Sequence, residues 1–157
     1  MTPAIGDRIP DLELTATGGR TVRLADYRGQ RLVLYFYPKA STPGCTREGQ
    51  AFRDAADAFA AIDTCILGVS RDGLKAQEGF KSKQSFPFDL IADRDESLCR
   101  AFDVIRTKKL YGKESLGIAR STFLIDADGV LRREWRGVKV EGHVDEVLAA
   151  ARQLAAT

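Results

Sequence analysis

The sequence predicts one α/β domain over residues 1–157, built on a mixed central β-sheet flanked by helices. The chain of 157 residues is long enough for one hydrophobic core and too short for two comfortable ones. Segments that favour strands alternate with segments whose apolar residues recur every three or four positions, an order typical of α/β proteins. Near the C-terminus two strand-like segments follow each other without a helix, so part of the sheet is predicted to be antiparallel.

The first predicted element is an N-terminal β-hairpin. Apolar residues alternate with polar ones on either side of the turn formed by Gly18 and Gly19: Leu12 and Leu14 before it, Val22 and Leu24 after it. We expect this hairpin to extend the central sheet.

The centre of the predicted sheet comes from two apolar runs, each followed by a helix. Residues 32–37 are a continuous β-prone run of the kind that is buried on both faces, and Pro38 ends it. Residues 43–62 carry apolar side chains at intervals of three and four, which predicts a helix with one apolar face. Residues 65–69 form a second buried strand, and a second helix is predicted over residues 73–84.

A short strand over residues 88–91 follows, and then a brief helix. Asp95 is placed to cap this helix, and its Leu98 and Phe102 are expected to point inward.

The C-terminal third predicts two paired strands and a closing helix. Residues 122–125 and 130–135 read as strands, joined by a turn sequence at residues 126–129. The last helix directs four apolar residues inward: Val144, Val147, Leu148 and Leu154. This order of elements is the thioredoxin-like arrangement, extended by the N-terminal hairpin and by a segment inserted between about residues 73 and 117.

Composition excludes several classes of function. Hydrophobic residues make up 44% and charged residues 29%, as in ordinary globular domains, and the formal net charge of +2 gives no basis for binding nucleic acid. No run approaches the length of a membrane helix, and no signal peptide is visible, so a cytoplasmic location is expected. No glycine pattern for a nucleotide cofactor is present, and Asp126 and Asp128 read as turn residues rather than metal ligands. We therefore expect neither a cofactor nor a metal.

The most informative segment is a strand-to-helix junction. Thr42 is a favourable N-cap and Pro43 a favoured first helical residue, which places Cys45 at the third helical position. Exposed backbone N–H groups and the positive end of a helix favour a thiolate over a thiol, so Cys45 is a candidate nucleophile. The alternative is that Cys45 is a small residue buried under the first helical turn.

The spacing of Pro38, Thr42 and Cys45, P-x-x-x-T-x-x-C, resembles the active-site loop of peroxiredoxins. Four longer segments are similar to the peroxiredoxin Q subfamily, also called bacterioferritin comigratory protein: FYPKASTPGCT, LGVSRD, LCRAFDV and GIARSTFLID. The resemblance extends from about Ile5 to Leu154. It implies a thiol-dependent peroxidase that reduces hydrogen peroxide and organic hydroperoxides in antioxidant defence.

The resemblance also implies a role for each site residue. Cys45 would attack the peroxide and become a sulfenic acid. Thr42 would hold a peroxide oxygen with its hydroxyl, and Arg120 would stabilise the charge that develops on sulfur and oxygen. Pro38 would shield the pocket from water, and Glu48 would orient the arginine.

The sequence departs from the subfamily at the second cysteine. The two usual positions of a resolving cysteine hold Gln50 and Lys81. Cys65 lies in a strand and Cys99 on a short helix, and both read mainly as core residues, although either could resolve Cys45 if its helix unwound. We therefore expect a one-cysteine cycle that depends on an external thiol: thioredoxin, glutaredoxin, glutathione or a similar reductant.

Three other functions are weighed against a peroxidase. A peroxide-sensing module would pass oxidation of Cys45 to a partner through a mixed disulfide, without rapid turnover. A redox-inert scaffold conflicts with the intact set of Thr42, Cys45 and Arg120. His143, the single histidine, could form a dyad with Cys45, but a surface position near the start of the last helix is expected. The resemblance suggests a monomer or a weak homodimer.

Overall fold

The structure, a computed structural model, describes residues 2–157, apart from the side chain of Leu110. Its elements in chain order are β1 (Glu13–Ala16), β2 (Arg20–Arg23), β3 (Arg31–Phe36), α1 (Pro43–Ala60), β4 (Thr64–Ser70), α2 (Leu74–Gln84), β5 (Asp89–Ala92), α3 (Ser97–Ala101), β6 (Ile105–Leu110), β7 (Lys113–Ile118), β8 (Ser121–Ile125), β9 (Leu131–Arg136) and α4 (His143–Ala155). In the described part of the chain, no helix combines the length and the apolar character needed to cross a membrane.

Seven strands form the central sheet, in the order β2-β1-β5-β4-β3-β8-β9. The strands β3, β4 and β5 run parallel, whereas β8 pairs antiparallel with β3 and β9 with β8. The N-terminal hairpin joins the other edge through an antiparallel contact of Ala16 with Ile91. The predicted mixed sheet with an N-terminal hairpin extension is confirmed.

The alternation of side chains along β3 separates two cores, one on each face of the sheet. One face packs against α3 and the N-terminal hairpin and includes Leu32, Leu34 and Phe36. The other face packs against α1, α2 and α4 and includes Val33, Tyr35 and Tyr37. Because both faces are covered, β3 is apolar and buried at every position from Leu32 to Phe36, as expected for a strand in the centre of such a sheet.

Helix α1 packs on the second core and carries a close contact to the α2–β5 loop. Phe52 and Phe59 point from α1 into this core and are fully buried. The ring of Phe86 lies over Gly49 so closely that a Cβ atom at Gly49 would be 2.3 Å from its Cζ atom. This helical glycine is therefore required by packing.

The strands β6 and β7 form a separate two-stranded sheet that the sequence did not predict. They pair antiparallel, and Tyr111 and Gly112 at the turn have φ values of 54° and 77°. Positive φ at both central residues is typical of a two-residue hairpin turn. Most of β7 is exposed and rich in charged residues, so it lacks the apolar alternation by which strands are recognised. Gly112, at the second position of the turn, is the feature of the sequence that could have indicated this hairpin.

Two local predictions were imprecise. The strand β2 ends at Arg23, since Leu24 begins a 3-10 turn, Leu24–Tyr27, and its backbone N–H donates to Leu12. Asp95 accepts only the backbone N–H of Ser97, whereas Asp93 accepts those of the next two residues of α3. The carboxylate that stabilises the start of α3 is therefore mainly that of Asp93.

Candidate active site

The candidate site lies where β3 ends and α1 begins, at the carboxyl edge of the parallel strands. Pro38 lies two residues after the end of β3 and is half-buried, and Cys45 occupies the third position of α1. In α/β proteins this edge is where functional groups from several strands meet. The structure places all five predicted site residues in this region or against it, because Arg120 immediately precedes β8, which pairs with β3.

Thr42 is the N-cap residue of α1, but its hydroxyl does not cap the helix. The backbone of Thr42 is extended, and its hydroxyl donates to the carbonyl oxygen of Lys39 at 2.7 Å. The N–H groups of the first helical turn have no intrahelical partner, and the Thr42 side chain accepts no hydrogen bond from them. They remain directed at the region of Cys45, where a negative charge would be favoured.

Cys45 lies against the guanidinium of Arg120. The cysteine is 2% exposed, and its Sγ is 3.5 Å from Nη2 of Arg120. A Cβ atom at Gly44 would be 3.2 Å from the same nitrogen, so the small residue before the cysteine lets the arginine approach. The arrangement places a permanent positive charge beside the sulfur.

Glu48 holds the other side of the same guanidinium. Its Oε1 is 2.6 Å from Nη1 of Arg120, and its side chain is fully buried one turn after Cys45. Burial raises the pKa of Glu48 to about 7, and the positive charge of Arg120 opposes this rise. Burial acts to lower the pKa of Arg120, but the charges of Glu48 and Cys45 outweigh it, so that pKa is raised.

Tyr35 of β3 lies near Glu48 and Cys45. The sequence predicted it only as part of a buried strand. Its ring stacks on Phe52 at a centroid distance of 4.4 Å, and its hydroxyl packs against Gly68, where a Cβ atom would be 2.9 Å away. Burial raises its pKa well above the ordinary value, and the charges of Glu48 and Cys45 add to the effect. Within the described residues, the Tyr35 hydroxyl and Oε2 of Glu48 have no hydrogen-bond partner.

A second group that the sequence reasoning missed is a polar network under the loop before α1. The carboxylate of Asp72 accepts the backbone N–H of Ala40 at 2.8 Å and the hydroxyl of Ser70 at 2.5 Å. Gln77 donates to Ser70 at 2.9 Å and accepts the hydroxyl of Tyr37. This network fixes the loop to the end of β4 and to α2. The feature of the sequence that could have indicated this network is Ser70, a polar residue directly after the buried strand predicted over residues 65–69.

The other two cysteines lie on the opposite face of the sheet from Cys45. Cys65 pairs with Leu32 at the far end of β3, about 13 Å along the strand from the end where the site lies. Cys99 is fully buried in the core under α3. Burial raises the pKa of both thiols, and the Asp93 carboxylate further raises that of Cys99.

The expectation that His143 lies on the surface was wrong. The residue is 4% exposed, and its Nε2 is 2.8 Å from the hydroxyl of Thr122, with its ring against the edge of Trp135. Burial lowers the pKa of His143. The prediction failed because a polar residue at the first helical position is usually exposed, whereas here Thr122 on β8 provides a buried hydrogen-bond partner. This hydrogen bond serves the packing of α4 rather than a dyad with Cys45.

Comparison with known proteins identifies the family. The chain matches the AhpC/TSA family over residues 5–134. Peroxiredoxin Bcp of Bacillus subtilis (strain 168) is 51% identical over 154 residues, which is 98% of this chain and 98% of the relative. A Xanthomonas campestris bacterioferritin comigratory protein, solved as trapped intermediate and ligand complexes to study its alkyl peroxide reduction activity, superposes with a TM-score of 0.89. It is 47% identical, covering 95% of this chain and 99% of that chain.

Two variants of Xanthomonas campestris peroxiredoxin Q give similar superpositions. Their TM-scores are 0.87 and 0.88 at 51% identity, and they cover 90% and 92% of this chain and 90% and 91% of theirs. Each carries one cysteine-to-serine substitution, and the two substituted positions are 36 residues apart in that protein. The family match, the identity over nearly the whole chain and the shared fold agree. The chain therefore belongs to the AhpC/TSA family, as a peroxiredoxin of the Bcp/PrxQ type, and is a thiol-dependent peroxidase.

Proposed function

We propose that Cys45 is the thiol that reduces the peroxide, in a cycle that uses no second cysteine of this chain. The observation that carries this proposal is the position of Cys45 at the start of α1, with its sulfur 3.5 Å from the guanidinium of Arg120. A helix N-terminus and an arginine both stabilise negative charge, and the attacking species is a thiolate.

The reaction begins when the Cys45 thiolate attacks one oxygen of the hydroperoxide. A bond forms between sulfur and that oxygen while the O–O bond breaks. The sulfur is oxidised to a sulfenic acid, and the second oxygen leaves as alkoxide or hydroxide and takes up a proton from water. Negative charge shifts from sulfur to the departing oxygen, so donors fixed around this line of atoms lower the barrier.

Arg120, Glu48 and Thr42 support this step in different ways. Arg120 presents a rigid fork of donors, one of which faces the sulfur. Glu48 binds another nitrogen of the fork and limits its rotation. The Thr42 hydroxyl, which donates to the carbonyl oxygen of Lys39, is adjacent to the first turn of α1 and would bind a peroxide oxygen. Pro38 would shield this pocket from water.

The one-cysteine cycle is supported by the residues at the two usual resolving positions. Counting 36 residues from Cys45, the spacing of the two substituted cysteines in the Xanthomonas campestris protein, leads to Lys81. Its ammonium binds Asp89 at 2.8 Å. Gln50, at the other position, donates to Gln84 at 3.0 Å and so connects α1 to α2. Both positions hold polar residues that join neighbouring elements.

An external thiol then completes the cycle. Its sulfur displaces hydroxide from the Cys45 sulfenic acid, which gives a mixed disulfide and water. A second thiol attacks the mixed disulfide, so that Cys45 returns as a thiol and the reductant leaves as a disulfide. Thioredoxin, glutaredoxin and glutathione are candidates for the reductant. The three free thiols of the chain fit a reducing compartment such as the cytoplasm, where we expect a monomer or a weak homodimer.

We extend the substrate class from the relative to this chain. The Xanthomonas campestris protein is described for alkyl peroxide reduction, and we propose that this chain reduces organic hydroperoxides as well as hydrogen peroxide. The absence of cysteine at positions 50 and 81 also favours a second candidate function, a relay that passes oxidation to a partner through a mixed disulfide. Sustained turnover with excess reductant separates the two, because a relay does not need to cycle rapidly.

Peroxide consumption with excess dithiothreitol tests the proposal. We expect Cys45→Ser to abolish consumption, and the matched variants Cys65→Ser and Cys99→Ser to retain the parent rate. Undiminished consumption by Cys45→Ser would contradict the assignment of the reacting thiol. A lower rate of consumption by Cys65→Ser or Cys99→Ser, in protein that circular dichroism shows to be folded, would contradict a cycle that uses no second cysteine.

A further inference from the structure

The hairpin of β6 and β7, here called the arm (residues 105–118), is the most exposed feature near the candidate site. Each strand has six residues and is therefore about 20 Å long. Three large apolar side chains of the described chain are exposed, and two of them lie on the arm. Tyr111 at its turn is 95% exposed and Leu116 is 58% exposed. Such side chains are usually found where a protein contacts another.

The arm carries a marked excess of positive charge. It holds four cationic residues and one acidic residue: Arg106, Lys108, Lys109, Lys113 and Glu114. Glu114 lies opposite Lys109 with an N···O distance of 3.5 Å, and Arg106 binds Asp103 at the base of the arm. The remaining charges give the arm a positive field, although the chain as a whole has a net charge of only +2.

The arm is fixed beside Cys45. Arg71, from the loop after β4, donates to the carbonyl of Leu116 at 3.1 Å and so connects the arm to the edge of the sheet where the site lies. Within the arm, Lys108 donates to the carbonyl of Ile118 at 2.7 Å. Arg120, whose guanidinium faces the Cys45 sulfur, is two residues past the end of β7. Burial lowers the pKa of Lys108, and the charge of Arg120 lowers it further, in keeping with the nearness of Lys108 to Arg120.

We propose that the arm is the docking surface for a protein thiol that reduces oxidised Cys45, and that this partner presents an acidic surface to it. The inference rests on the one-cysteine cycle proposed above, in which the reducing thiol comes from another molecule. A small thiol would need no surface about 20 Å long. Exposed tyrosine is typical of protein interfaces, and opposite charge accelerates the encounter of two proteins.

The two half-reactions separate this inference from the proposed function. The protein is first oxidised with one equivalent of hydrogen peroxide, and uptake of one oxygen is verified by mass. Reduction is then followed in a single turnover with three probes used separately: thioredoxin, glutaredoxin and dithiothreitol. The variants are Lys109→Glu and Lys113→Glu on the arm, with Lys83→Glu, an exposed lysine at the C-terminal end of α2, as the matched control.

We expect the two arm variants to be reduced about tenfold more slowly by thioredoxin, glutaredoxin or both at low ionic strength, and the difference to shrink as salt is added. Oxidation by peroxide and reduction by dithiothreitol stay at the parent rates, as does every rate of Lys83→Glu. Tyr111→Asn removes the aromatic side chain and keeps a residue that tolerates positive φ. It is expected to slow the protein-dependent step at all salt concentrations.

Equal protein-dependent rates for the arm variants, the control and the parent would overturn the inference. So would failure of both proteins to reduce the oxidised parent, or a change of oligomeric state in the arm variants, which would make the arm an interface between copies of this chain. Failure of the parent to take up oxygen at all is a different result, visible before any reductant is added, and contradicts the proposed function.

Discussion

Glu48, which is fully buried, and Arg120, which is partly buried, form an ion pair in which one nitrogen of the guanidinium is bound by the carboxylate and another faces Cys45. The two contacts measure 2.6 Å and 3.5 Å. One carboxylate therefore both orients the arginine and partly neutralises it. The pKa of Glu48, raised to about 7, means that this neutralisation changes with pH near neutrality.

The stability of the protein is expected to depend on pH through Glu48. Its pKa is about 7 in the folded chain against an ordinary 4.5, so between these values the folded state holds more protons than the unfolded state. The stabilising contribution is complete below pH 4.5 and is lost as the pH rises through about 7. We expect the free energy of unfolding of Glu48→Gln, relative to that of the parent, to be higher at pH 8 than at pH 5. The difference between the two pH values is at most about 3 kcal/mol. Urea denaturation at both pH values measures it, and the same difference at both would contradict the raised pKa.

Replacing Arg120 by lysine is expected to slow the oxidation of Cys45 by about 10²–10³-fold. Lysine keeps the positive charge but loses the planar fork that contacts Glu48 and Cys45 together. Stopped-flow oxidation by hydrogen peroxide measures the rate. Arg53→Lys, farther along α1, is the control and should match the parent, whereas a full rate in Arg120→Lys would show that charge alone suffices.

His143 is expected to make the fold less stable in mild acid. Burial lowers its pKa below the ordinary 6.5, so at pH values between the two the unfolded state binds more protons. Stability therefore falls as the pH drops through 6.5, and His143→Asn should lose this part of the dependence. Thermal unfolding of the two proteins at pH 7.5 and 5.5 compares them, and parallel curves would argue against a buried neutral imidazole.

Replacement by alanine is expected to change the stability of the protein in opposite directions at Gly49 and Gly79. Gly49→Ala is expected to destabilise the protein by about 1–3 kcal/mol, because its Cβ would be 2.3 Å from the Phe86 ring. At Gly79 on α2 a Cβ meets no atom within 4 Å, so Gly79→Ala should stabilise by about 0.5–1 kcal/mol. Denaturant titrations of both variants test this, and a stabilising Gly49→Ala would mean that Phe86 moves aside freely.

The sequence predicted the central sheet well because its signals were local. Buried strands such as β3 show as unbroken apolar runs, and the start of α1 shows as Thr42 and Pro43 before Cys45. The arm was missed since its strands are charged and exposed, and its turn carries a single glycine.

The site could be predicted as a set of residues through the resemblance, but its supporting contacts could not. Tyr35 and Asp72 are brought to it by the pairing of β3 with β4, which no local pattern reports. The burial of His143 depends on Thr122, 21 residues earlier in the chain. Such long-range partners decide whether a polar residue is exposed or buried.

The central claim is that Cys45 alone carries the oxidation, and the mass of the intact protein after one equivalent of hydrogen peroxide, without reductant, tests it most directly. We expect a gain of one oxygen, mapped by peptide analysis to Cys45 and absent in Cys45→Ser. Loss of two hydrogens, with Cys45 linked to Cys65 or Cys99, would contradict the one-cysteine cycle, and no change in mass would contradict Cys45 as the reacting thiol.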